Sequence, residues 1–247
     1  MAPNKNSSKN DQQREINNIL GVLPIFTALN HYRFYHINSS TSNMLLHTFI
    51  AFAKTTNRFT IDTENDYNTH EPALIQIEII QHESIVLLIE INHLPHKSSV
   101  SFCFLSSGLF SSAALLNINY FNIQNEFKQW HNTHYGSEIG GSNNSWSLQK
   151  AIAFTFNEFH DKSQRKKNWS RQLDLKNSYT SSKINIKEEN EVKKMVDYAI
   201  ADCLTVTKLV TILQLHTQKK QIEKYYFIVD DDDELFQILK KNYDIQQ

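Results

Sequence analysis

The chain has 247 residues, 40% of them hydrophobic, with a formal charge of −1 and a pI near 6.8. That is enough for a sizeable core in one large domain or two small ones, and the near-zero charge means that any basic footprint for nucleic acid has to be local. Only 5 Gly and 4 Pro argue against a turn-rich β sandwich, and two unrelated cysteines, Cys103 and Cys203, give neither a disulfide framework nor a zinc spacing, which points to a reducing compartment.

Residues 1–18 are polar, lack an apolar signal core, and read as a disordered N-terminal tail. No run reaches the ~18 apolar residues of a membrane span, so a soluble intracellular protein, nuclear or cytoplasmic and without a membrane partner, is the expectation. Residues 31–37 alternate as a short strand. Ser39-Ser40-Thr41-Ser42 offers N-cap residues for a helix over about residues 42–55, in which Met44, Leu45, Thr48, Phe49 and Phe52 recur at helical spacing. Three strands follow closely, over 59–64, 73–80 and 84–92, and their short connectors favour an antiparallel meander. The third is almost continuously apolar, as suits a strand buried on both faces.

Residues 102–116 have no clear period. A helix is expected over 121–130, a Gly/Ser/Asn loop over 135–144, and a second helix over 145–159 with Leu148, Ile152, Phe156 and Phe159 on one stripe. Residues 161–174 are charged, mostly basic, with Trp169 among them. After a polar linker over 177–187, residues 188–215 form the clearest helix, marked by Val192, Val196, Ala199 and Cys203. A short strand is expected at 225–229, followed by the acid run Asp230–Glu234, read as an exposed tail or helix start. A meander followed by helices indicates an α/β layered domain with an α+β-like order.

Two stretches carry chemistry. In the first strand of the meander, Arg58-Phe59-Thr60-Ile61-Asp62-Thr63-Glu64-Asn65, the two acids stand at i and i+2 and so share a face, with Thr63 turned away. Two carboxylates side by side repel unless a cation lies between them, which makes Asp62 and Glu64 candidate metal ligands; a solvated strand end is the plainer alternative. In the late helix, Tyr198 and Asp202 are four apart and lie on one face. Acids that hold ions, and a donor that orients water, are what metal-assisted phosphodiester hydrolysis needs.

Phe59-Thr60-Ile61-Asp62-Thr63-Glu64, with Ala73-Leu74-Ile75-Gln76-Ile77-Glu78 after it, resembles motif I and the next strand of DEDD-type 3′-5′ exonucleases. Tyr198-x-x-x-Asp202 resembles motif III of the DEDDy branch. Asp161-Lys162-Ser163-Gln164 and Asn168-Trp169-Ser170-Arg171-Gln172-Leu173 are similar to the Lys-rich, Trp-containing stretch of ribonuclease D and the Werner-type exonucleases. The resemblance spans about residues 37–215. It implies a ribonuclease-H-like mixed sheet in an exonuclease-like domain over 31–215, with residues 216–247 as a C-terminal extension. It further implies that Asp62 bridges two Mg²⁺ or Mn²⁺ ions, that Glu64 and Asp202 complete the site of the water-activating ion, and that Tyr198 orients the water. Lys162, Arg165, Lys166, Lys167, Trp169 and Arg171 become the expected nucleic-acid contacts, through phosphates and base stacking, and the 3′ end of single-stranded DNA or RNA the expected partner.

The sequence departs from the family at the fourth acid. There is no Asp from Tyr67 to His160, Asn122 stands where a later family strand usually begins with Asp, and Glu126 fits the vacant position poorly. One strand–helix unit is expected to be missing, and loss of its acid weakens chiefly the second ion. The alternative reading is therefore an impaired exonuclease fold that binds nucleic acid or a protein partner without cutting. The pairs His131/His134 and His93/His96 lack a third zinc ligand at sensible spacing, and Ser107-Gly108 lacks the flanks of a nucleophile elbow.

Overall fold

The computed structural model describes residues 16–94, 119–136, 146–175, 185–216 and 225–228. They form six strands and four helices in the order β1 (Tyr32–Ile37), α1 (Asn43–Lys54), β2 (Arg58–Asn65), β3 (Pro72–Ile79), β4 (Ser84–Glu90), β5 (Asn119–Asn122), α2 (Ile123–Tyr135), α3 (Leu148–Phe156), α4 (Ile186–His216) and β6 (Tyr225–Ile228). The irregular residues 102–116, Cys103, His96, the pair Ser107-Gly108 and the acid run 230–234 lie outside the described residues.

The strands make one mixed sheet in the order β1-β4-β3-β2-β6-β5. The meander is present: β2 pairs with β3 and β3 with β4, both antiparallel. β1 lies parallel to β4 at one edge. At the other side β6 runs parallel to both β2 and β5. This is the mixed α/β sheet with an antiparallel meander and flanking helices that the family resemblance implied. The strand beside β2 comes from the far end of the chain, so part of the expected C-terminal extension is a member of the sheet.

Alternation along the meander divides the core into two layers. Phe59 and Ile61 of β2, Ile77 and Ile79 of β3, and Ile85, Leu87 and Ile89 of β4 face α1, which meets them with Leu46, Phe49 and Ala53. These α1 residues follow helical spacing, and Ser42 starts the helix by accepting from the Leu45 N–H. The opposite face carries Leu74, Val86 and Leu88 and is covered by Val192, Met195, Val196, Ala199, Ile200 and Leu204 of α4, with Trp169 and Leu173 wedged alongside. β4 is buried along its whole length, as a strand covered on both faces must be. A third cluster joins Ile123 and Phe127 of α2 and Leu148, Ala151 and Ile152 of α3 to Val206, Leu209 and Val210 of α4.

Three local departures have physical causes. β4 ends at Glu90 and the chain continues into a 3-10 turn over Ile91–His93, so the expected third strand is shorter. Phe121 and Asn122 are the end of a strand rather than the start of a helix. Asn122 is the N-cap of α2, its Oδ1 accepting from Gln124 N at 3.0 Å and Asn125 N at 3.1 Å; an amide caps a helix as well as an acid does. Residues 16–20, at the end of the expected tail, form a helical turn, and Asn17 Oδ1 accepts from Gln149 Nε2 at 2.6 Å.

Candidate metal and nucleic-acid site

The side chains of β2 that point toward α4 are Thr60, Asp62 and Glu64. Thr60 Oγ1 reaches the Cys203 carbonyl at 3.5 Å and Glu78 Oε2 at 3.2 Å, which fixes β2 against the middle of α4. That register places Asp202 opposite Asp62 and Glu64. One ligand oxygen from each of the three carboxylates lies within 4.8 Å of the others, and all three residues are buried. Tyr198, one turn earlier on α4, is 5% exposed. The four residues expected to act together are therefore brought together, and Thr63 is turned away as the strand period requires.

The second wall is the segment after α3. Asn157 ends that helix in the left-handed conformation, which Asn tolerates. The chain then runs extended, held by Phe159 N to Pro24 O at 2.7 Å and Phe26 N to Phe159 O at 2.8 Å. On an extended run His160 and Lys162 share a side, and both point at Asp202. His160 Nε2 donates to Asp202 Oδ1 at 2.6 Å and Lys162 Nζ to the same oxygen at 2.5 Å. The His160 ring also stacks on Tyr198, with centroids 6.2 Å apart and planes 13° apart, while the Lys162 ammonium lies 5.3 Å from the centre of the Tyr198 ring. His160 escaped the sequence reading; its His-x-Lys spacing on an extended run was the available signal.

The charges are strongly coupled. Burial alone would raise the Asp202 carboxyl, but the Lys162 ammonium and the His160 imidazole hold it well below the usual carboxylate range. Burial, reinforced by the charges of Asp62 and Asp202, pushes Glu64 well above that range. Burial lowers the His160 imidazole more than the Asp202 charge raises it, favouring neutral His. Burial works against the Lys162 ammonium, yet Asp202, Asp62 and Glu64 more than offset it and keep it charged. The Tyr198 phenol is pushed up by burial and by the nearby acids, so it remains an O–H donor.

A divalent cation fits this donor set. All three groups offer hard carboxylate oxygens, the kind that Mg²⁺ and Mn²⁺ prefer. Asp202 Oδ2 is buried and has no hydrogen-bond partner. A second carboxylate beside Glu64 is a cost that a cation would remove. Among the described residues no fourth acid joins the three, and Glu126 sits half-buried on the first turn of α2, outside the cluster.

The residues expected to touch nucleic acid separate into different environments. Lys162 belongs to the acid cluster. Trp169 is 1% exposed and packs with Leu74, Leu88 and Leu173, 5.8 Å behind the Tyr198 ring. Arg171 pairs with Glu188 at 2.7 Å. Arg165 and Lys166 are exposed and Lys167 is half-buried, so the stretch offers its cations near the cluster without an aromatic face. Asp66 ties this stretch to the end of β2: its Oδ1 accepts from Asn68 N and Thr69 N, and its Oδ2 from Ser170 N at 3.0 Å. His131 is buried within an aromatic group with Phe127, Trp146 and Phe154, and it joins no metal cluster among the described residues. Cys203 is a buried thiol in the core. No helix among the described residues is long and apolar enough to cross a membrane.

No family model and no curated protein matches the sequence. Among solved structures, the chain is similar to the Aedes aegypti Nibbler EXO domain, at 12% identity and a TM-score of 0.46, covering 87% of this chain and 99% of that one. It is similar to Escherichia coli RNase D, an exoribonuclease involved in structured RNA processing, at 14% identity and a TM-score of 0.42, covering 75% of this chain. The match spans 45% of the RNase D chain, less than half its length. It is also similar to Brucella melitensis NrnC bound to pGG, at 12% identity and a TM-score of 0.39, with coverage of 75% and 81%.

Proposed function

We propose that the protein is a 3′-5′ exonuclease that hydrolyses phosphodiester bonds at the 3′ end of single-stranded RNA or DNA with Mg²⁺ or Mn²⁺. The observation that carries this reading is the convergence of Asp62 and Glu64 of β2 with Asp202 of α4, one turn after Tyr198. Asp62, Glu64 and Asp202 would hold the cation. When bound, it would supply activation of the attacking water and neutralisation of charge on the departing oxygen. The neutral Tyr198 phenol would donate a hydrogen bond to that water and fix its line of approach. His160 and Lys162 hold Asp202 Oδ1, which would leave Oδ2 as the oxygen offered to the cation. Arg165, Lys166 and Lys167 would meet backbone phosphates beside the site. A 5′-labelled single-stranded oligonucleotide tests the direction: a ladder shortening from the 3′ end, with release of nucleoside monophosphates, is expected. Internal cutting from the earliest time points would refute the assignment.

The second reading is a fold that binds nucleic acid or a protein partner and no longer cuts. It is favoured by the lack of a fourth acid among the described residues. It predicts salt-sensitive oligonucleotide binding with no turnover in either metal.

A further inference from the structure

Three carboxylates at the site carry up to three negative charges, and Lys162 sets one positive charge directly against them, on Asp202 Oδ1 at 2.5 Å. Its side chain is 11% exposed, so this charge is poorly screened by water. The balance is then two negative charges, which a single divalent ion neutralises. Asp202 is limited in the same way. Oδ1 already accepts from both Lys162 and His160, which occupy its two lone-pair directions. Only Oδ2 is left for an ion. A second divalent ion would meet an ammonium and a saturated oxygen, without a fourth carboxylate among the described residues to offset either.

We propose that Lys162 stands in for a second metal cation, so that the site takes one divalent ion per chain. This rests on the exonuclease reading and sets one ion where the family resemblance implies two. Lys162 is then a positioning and charge-balancing residue, acting through Asp202.

The test is calorimetric titration of the full chain with Mn²⁺, checked by electron paramagnetic resonance counting of bound ions, for wild type, Lys162→Arg, Lys162→Met, Lys162→Gln and Asp62→Asn. The expected result is one ion in wild type and in Lys162→Arg. In Lys162→Met and Lys162→Gln, removing the competing charge should tighten Mn²⁺ binding about tenfold or more, which corresponds to about 1.4 kcal/mol, or admit a second ion. The metal-free melting temperature of both neutral variants should fall, and Mn²⁺ should raise it by more than in wild type. Two ions in wild type, or neutral variants that neither bind Mn²⁺ more tightly than wild type nor take a second ion, would overturn the proposal. If wild type binds no better than Asp62→Asn, the nuclease reading itself fails and the proposal with it. Two ions in wild type would leave that reading standing.

Discussion

Trp169 offers a sharp test because its two possible roles predict opposite results. As a stacking platform for bases, its loss would weaken nucleic-acid binding and leave the fold alone. Its position says otherwise: it is 1% exposed and contacts the cluster that joins Leu74 and Leu88 to α4. Replacing a buried Trp by Ala costs about 3–5 kcal/mol through lost burial and the cavity left behind. For a chain of this size each kcal/mol lowers Tm by about 2–4 °C, so Trp169→Ala should melt about 6–20 °C lower. The indole N–H has no hydrogen-bond partner, so Trp169→Phe should recover most of the loss. Urea unfolding followed by circular dichroism measures the stability, and fluorescence anisotropy at a temperature where both variants are folded measures oligonucleotide binding. A Trp169→Ala protein of wild-type stability with tenfold weaker binding would refute the packing role.

Glu78 gives a pH prediction. It is fully buried between β3 and α4, its Oε2 accepting from Thr60 and Thr207 hydroxyls, and burial raises its carboxyl above the usual range. The folded state therefore holds this proton more tightly than the unfolded chain, so the contribution to stability is full at low pH and declines as pH rises from the unfolded value toward the raised folded one. Glu78→Gln keeps the shape without the charge; it should raise Tm relative to wild type at pH 8, with the gap shrinking toward pH 4.5. Truncation after His216 removes β6, the only strand among the described residues that pairs with β5 and the one that covers the free side of β2. The shortened chain should lose the cooperative melt or fall by more than about 10 °C, several kcal/mol on the scale used above; an unchanged melt would show that β6 is dispensable.

Much of this site could be read from residue spacing. The alternation of Phe59 and Ile61 with Thr60, Asp62 and Glu64 places both acids on one face, and the helical stripe of α4 turns Asp202 inward with Ala199 and Cys203. These are local periodicities, and burial on one side forces them. Long-range facts were not legible. Nothing near Tyr225 announces that its strand inserts beside β2, because that pairing joins segments more than 150 residues apart. Trp169 amid cations has the composition of a binding surface, yet its large apolar area is more stable in the core, and Asp66 draws the whole stretch against β2. The aim of His160 at Asp202 depends on a long-range contact, the bridge between Ile25 and Phe159 that sets the direction of the run after α3.

The proposed nuclease stands on Asp62, Glu64 and Asp202 holding a cation that works on a phosphodiester. The most direct measurement is the rate of mononucleotide release from a 3′-labelled single-stranded oligonucleotide in Mn²⁺, for wild type, Asp62→Asn and Asp202→Asn. Wild type should release label in a reaction stopped by a chelator. Each variant should lose more than the ~10–100-fold typical of groups that merely support a metal ligand. A wild type that does not release label, or an Asp62→Asn protein that releases it at the wild-type rate, would rule out metal-assisted hydrolysis at these carboxylates.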